Sequence, residues 1–127
     1  MDSNSERRRE QRLRYHWPVW FAEDFSDTLA QGQMVDVSSS GAAFTCRVDE
    51  HYPYIGQHLT ARFSVPRYWP DEAFDMENFT RLGRICRVDE INPFSRRIAI
   101  QFAEPLPFKP GEQENNEAEE KLDAITV

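Results

Sequence analysis

Two chemically opposite stretches stand out in the first third of the chain. Arg7-Arg8-Arg9-Glu10-Gln11-Arg12-Leu13-Arg14 holds five arginines and one acid. So dense a cluster repels itself and is stabilised by an anion. Each guanidinium offers planar paired donors that match phosphate oxygens and the O6/N7 edge of guanine, and it also stacks on a base. Asp36-Val37-Ser38-Ser39-Ser40-Gly41 is the counterpart. An ionised carboxylate only accepts, so Asp36 suits the N–H edge of guanine, which arginine cannot serve. Ser38 donates to a phosphate or accepts from a base. Gly41 lets a backbone approach a ligand closely, or takes a positive φ in a turn. Together the stretches supply both halves of what a guanine nucleotide needs.

The elements that must position them read as strands. Tyr15, Trp17, Val19 and Phe21 alternate with Arg14, His16, Pro18 and Trp20, a period of two. Pro18 makes this first strand an edge, or puts a bulge in it. Residues 28–37 read as a second strand interrupted at Gly32, and 42–48 as a third. In 57–65, Leu59, Ala61, Phe63 and Val65 share one face, the cleanest half-buried strand in the chain. Residues 79–88 and 96–102 complete the set. Polar, Pro- and Gly-bearing stretches at 23–27, 38–41, 49–56, 66–77 and 89–95 read as turns and loops. Six strands at these spacings predict an all-β fold, a closed six-stranded antiparallel barrel whose closure removes exposed edges.

The organisation is then an arginine-rich arm at 1–14, flexible until something binds, a barrel at 15–106 and an acidic tail at 107–127. In the tail Ala118, Leu122 and Ile125 recur at i, i+4 and i+7, which leaves a short helix and a solvated acidic tail equally open. Nine Phe, four Tyr and three Trp let a domain of this size bury enough apolar area. Tyr68, Trp69 and Phe74 are expected to fold back over the barrel end rather than form a docking patch.

Charge and composition exclude several classes. The net charge is −7, with positive charge concentrated in the arm. An acidic body argues against a DNA-coating protein, which needs broad neutralisation of phosphates. A small phosphorylated ligand needs only a local patch. No apolar run reaches the ~20 residues of a membrane span, and Met1-Asp2-Ser3-Asn4-Ser5 lacks the apolar core of a secretion signal. A cytoplasmic location is expected. Cys46 and Cys86 form no CxxC pair and read as buried free thiols. His16, His51 and His58 are scattered, so no metal site is expected. No nucleophile elbow surrounds Ser38, so no catalytic triad is read there and no enzymatic activity is expected.

Arg7-Arg8-x-x-x-Arg12 followed by Asp36-x-Ser38-x-x-Gly41 resembles the paired signatures of the PilZ domain, the bacterial receptor module for cyclic di-GMP. Asp36 follows Arg12 by 24 positions, a gap of the family's size. Residues 13–21, 83–88 and 98–102 look like its first and last two strands. The resemblance implies a barrel with the arm folding across its mouth. It implies that Arg7, Arg8 and Arg12 grip phosphates and guanine, that Asp36 and Ser38 hold a guanine, and that Gly41 shapes the turn. Arg9 and Arg14 have no role in the family pattern. The implied function is a cytoplasmic cyclic di-GMP receptor with a downstream protein partner, no DNA ligand and no further cofactor. The alternative is an adaptor of the same fold that binds a protein without nucleotide.

Overall fold

The computed structural model describes residues 10–24, 29–49, 53–68 and 74–113. Its strands are β1 (Leu13–Arg14), β2 (Pro18–Ala22), β3 (Ala30–Val37), β4 (Gly41–Arg47), β5 (His58–Tyr68), β6 (Phe74–Asn92) and β7 (Ser95–Phe102). One turn of 3-10 helix follows at Pro110–Glu112. The order β3-β2-β5-β6-β7-β4 closes on itself because β4 also pairs with β3. All pairings are antiparallel, and β1 is added to β3 outside the ring. The expected six-stranded antiparallel barrel is the observed one, with one short strand more.

The period-two pattern fills its interior. Leu59, Ala61, Phe63 and Val65 of β5 meet Val19 and Phe21 of β2, Phe44 of β4, and Ile98, Ile100 and Phe102 of β7 in one buried cluster. Phe21 lies against Phe44 with ring centroids 5.1 Å apart, and Phe63 stacks on Phe102 at 5.6 Å. Burying each such side chain contributes roughly 1.5–3 kcal/mol.

Several local expectations are corrected. The first strand is not an edge: β2 pairs with both β3 and β5. Pro18 is tolerated because it is the first residue of the strand. The alternation from Tyr15 is broken into β1 and β2, joined by a stretch in which Tyr15 N donates to Val35 O and Trp17 O accepts from Met34 N. The 66–77 loop is mostly sheet, with Pro66 opposite Met76 and Tyr68 opposite Phe74. Past Phe63, β5 has lost its β2 partner, so Pro66 removes no ladder bond. The Gln113 amide serves that edge instead, donating to Pro66 O at 2.7 Å and accepting from Tyr68 N at 2.9 Å. Likewise β6 and β7 shorten the 89–95 turn to Pro93 and Phe94.

The cysteines were expected to be alike and are not. Cys46 is buried, whereas Cys86 is exposed, and both are free. A register shift between Ile85 and Arg87 leaves Cys86 opposite no residue of β7, on the side of β6 away from the buried Ile85. Trp69, the Phe74 side chain and the tail positions Ala118, Leu122 and Ile125 lie outside the described residues. No helix among those described is long and apolar enough to cross a membrane.

Candidate functional site

The site is built by an irregularity in β3. Against β4, Met34 stands opposite Phe44, but Asp36 stands opposite Ala43 rather than Ala42. Val35 is therefore an extra residue, a β-bulge. Met34 belongs to the core. Without the bulge Asp36, two residues on, would share Met34's inward face. The bulge turns the carboxylate to the outer wall and returns Val37 to the core.

Asp36 points outward yet is only 6% exposed. Two guanidinium groups lie against it. Arg12 Nη1 is 3.4 Å from Oδ1, and Arg97 Nη2 is 3.5 Å from Oδ2. Both separations are long for charge-assisted contacts, and each carboxylate oxygen keeps spare acceptor capacity. Arg12 belongs to the arm and Arg97 to β7, so the carboxylate joins the two. Arg12 reaches it because Arg14, two residues on, is the register partner of Asp36 in β1–β3, and alternate residues of an extended chain share a side.

The arm is further held by its own acid. Ser39 N and Ser39 Oγ both donate to the Glu10 carboxylate, at 2.7 Å to Oε2 and 2.6 Å to Oε1. Gln11 N donates to Glu112 Oε2 at 2.7 Å. Gly111 sits so close to the Gln11 carbonyl that a Cβ there would collide with it. Residues 10–12 are thus clasped between the serine turn and the 3-10 helix. Ser39 O also accepts from Leu106 N and Ser40 O from Phe102 N, tying the turn to the end of β7 and the chain after it.

Ser38 is buried, and its hydroxyl serves the turn: it lies 3.4 Å from Gly41 O and accepts from Ser40 N at 3.3 Å. Gly41 does not take a positive φ; among the described glycines only Gly56 does. Glycine is required at 41 because a Cβ would meet the Ile100 carbonyl across the β4–β7 ladder. Arg7, Arg8 and Arg9 lie outside the described residues. So of the six site residues read from the sequence, Arg12 and Asp36 are in contact, Ser38 and Gly41 form the adjoining turn, and Arg7 and Arg8 are not described.

Sequence reading missed Arg97 and Glu10. Arg97 alternates with buried Ile98 and so reads as an ordinary outward residue; only the register of β7 brings it near β3. Glu10 was only the one acid of a basic run, although Glu10 and Arg12 at i, i+2 on an extended chain would face one way. Among the described residues no group of three His, Cys, Asp or Glu side chains could hold a metal ion. Burial pushes the Tyr15 phenol far above its ordinary range, and its hydroxyl donates to Ser64 O at 2.8 Å. Burial, reinforced by Asp49 and opposed by Arg96, pushes the Cys46 thiol up to about 11.

These features define a small closed barrel whose Arg12 and Glu10 are fastened to the outer wall and to the serine turn beside it. The PilZ domain family profile matches residues 6–114, and the chain belongs to that family, whose members are typically cyclic di-GMP receptors and effector modules. No curated protein is recognisably similar in sequence. Among solved structures the fold resembles that of the inhibitor of motility of Bacillus subtilis (MotI/DgrA), with a TM-score of 0.54 and 14% identity. The match covers 80% of this chain and 44% of that one, so the chain spans less than half its length.

Proposed function

We propose that the protein is a cytoplasmic cyclic di-GMP receptor and not an enzyme. The observation that carries this is the meeting of Arg12 with Asp36, the two halves of the paired signature, on one surface. Asp36 accepts from the N–H edge of one guanine. Arg12, with Arg7 and Arg8 from the arm, donates to phosphate oxygens and to O6/N7 edges. Ser38 reorients its hydroxyl from the turn toward the ligand, and Gly41 keeps β4 tight against β7 beside it. The ligand's phosphates take Arg12 over from Asp36 while Glu10 keeps the arm on the serine turn, and the rearranged arm presents a changed surface to a downstream protein. Nothing in this scheme calls for DNA or a further cofactor.

Titration calorimetry with cyclic di-GMP, GTP and a single-stranded oligonucleotide tests it. Saturable heat with cyclic di-GMP alone is expected, lost in Arg8→Ala and Arg12→Ala and kept in Arg62→Ala. Wild-type affinity in Arg12→Ala refutes the site. Silence toward cyclic di-GMP together with capture of one defined protein partner would favour the nucleotide-independent adaptor.

A further inference from the structure

The sheet register extends the site beyond the two signatures. Asp36 stands opposite Ala43, and Ala43 opposite Ala99. Neither alanine belongs to the core cluster, while their neighbours Ala42, Phe44, Ile98 and Ile100 do. Both alanines therefore face away from the barrel interior, Ala43 buried beneath the groups around Asp36 and Ala99 half-buried beside it. One row further along lie Gln33, Thr45 and Arg97, and beyond them Gln31, Arg47 and Ser95. An open groove of about 300 Å³ runs there, lined by Gln31, Gln33, Thr45, Arg47 and Ser95 among others. Arg97 is the register partner of Thr45 and stands between this groove and Asp36. Its side chain is 47% exposed. Arg47, at the far end, is exposed and forms no ion pair among the described residues.

We propose that this wall is the second half of the ligand site: Arg97 binds the ligand directly, and the groove ending at Arg47 takes the purine that Asp36 does not. The inference rests on the cyclic di-GMP reading. The run from Ala43 to Arg47 is about 13 Å at ~3.3 Å per strand residue, a span suited to two linked nucleotides. The chemistry also fits. Arginine pairs with the O6/N7 edge of guanine, and the Gln31 and Gln33 amides supply both donors and acceptors. Arg97 needs only to rotate from Asp36 Oδ2 to meet a phosphate on the outer wall beside Ala99. That movement frees an acceptor for guanine in the same step.

Calorimetry with cyclic di-GMP on Arg97→Gln, Arg47→Gln and Thr45→Phe, with the melting temperature of each recorded, tests the proposal. Each arginine variant is expected to weaken Kd on the order of tenfold, the value of one charge-assisted contact. Thr45→Phe, which fills the groove, is expected to weaken it at least as much with little change in melting temperature. Wild-type affinity in both Arg97→Gln and Thr45→Phe overturns the extension while wild type still binds and Arg12→Ala does not. If wild type itself gives no heat, the receptor reading has failed. Should Thr45→Phe not fold, Gln33→Ala with Arg47→Gln replaces it, and unchanged affinity in that pair is equally fatal.

Discussion

Removing the clasp between Glu10 and Ser39 should weaken ligand binding without weakening the barrel. The clasp consists of two short hydrogen bonds to one carboxylate, at 2.7 and 2.6 Å. A hydrogen bond to a charged group contributes roughly 1.5–3 kcal/mol when well buried. Both groups are only partly buried, so screening reduces the two together to about 2 kcal/mol. That free energy holds residues 10–12 in place before ligand arrives. Without it their ordering, at about 1–2 kcal/mol of backbone entropy per residue, falls on the binding step. Gln11 and Arg12 keep their contacts with Glu112 and Asp36, so only part of the loss is felt. Glu10→Ala is expected to raise Kd for cyclic di-GMP about tenfold, some 1.4 kcal/mol. The cycle Glu10→Ala, Ser39→Ala and the double variant, read by calorimetry, should show the double no worse than the poorer single. Amide exchange of the ligand-free protein gives an independent measure: Ser39 and Gln11 should lose protection in Glu10→Ala while Phe44 keeps it. Additive losses in the cycle, or tighter binding by Glu10→Ala, would refute the reasoning. The second result would mean that Glu10 competes with the ligand rather than holding the arm for it.

Gly41→Ala should destabilise the fold by about 1–3 kcal/mol, because the added methyl drives β4 away from the Ile100 carbonyl; a lowered urea midpoint measures it, and an unchanged midpoint shows the ladder can yield. At pH 8 iodoacetamide should modify Cys86 quickly and Cys46 only after denaturation, since the first thiol is exposed and the second is buried and protonated. The Cys46 thiol, raised to about 11 in the fold, stabilises the protein fully below its ordinary value of about 9. That contribution is lost as pH climbs from there toward 11, because the unfolded chain releases the proton first. Cys46→Ala should flatten this part of the alkaline limb in a denaturation series.

The barrel was legible because its information is local. Alternation in 57–65 and 96–102 names the buried face residue by residue, and closure follows once six such strands are counted. Strand ends were less so, because a proline reads as a stop whichever side of the sheet it faces. Pro66 sits in a strand only because the Gln113 side chain, 47 positions away, serves the edge it occupies. The site was half legible. Arg12 and Asp36 carry their chemistry in their residue types, and their meeting needed only one pairing, β1 with β3. Arg97 was hidden because its proximity to Asp36 runs through two registers and a bulge. No pattern in the sequence marks Val35 as the extra residue.

The bulge also explains how an acidic protein keeps a basic arm. Five arginines within eight positions repel one another, so residues 10–14 can lie docked only if acids are interleaved among them. The fold supplies three carboxylates from three places: Glu10 fastens the arm to the turn, Glu112 receives its backbone, and Asp36 lies between Arg12 and Arg97. Of these only Asp36 stands on the strand wall, and it does so because one residue of β3 is out of step. Had it stayed in register, its charge would face Met34 and Phe44 in the core, at a desolvation cost of several kcal/mol. On the proposed reading, a ligand with two phosphates takes over Arg12 from a carboxylate already beside it. Affinity in that reading depends on how much better the ligand's phosphates neutralise Arg12 than Asp36 already does, while Glu10, bonded to Ser39, holds the arm in place for them.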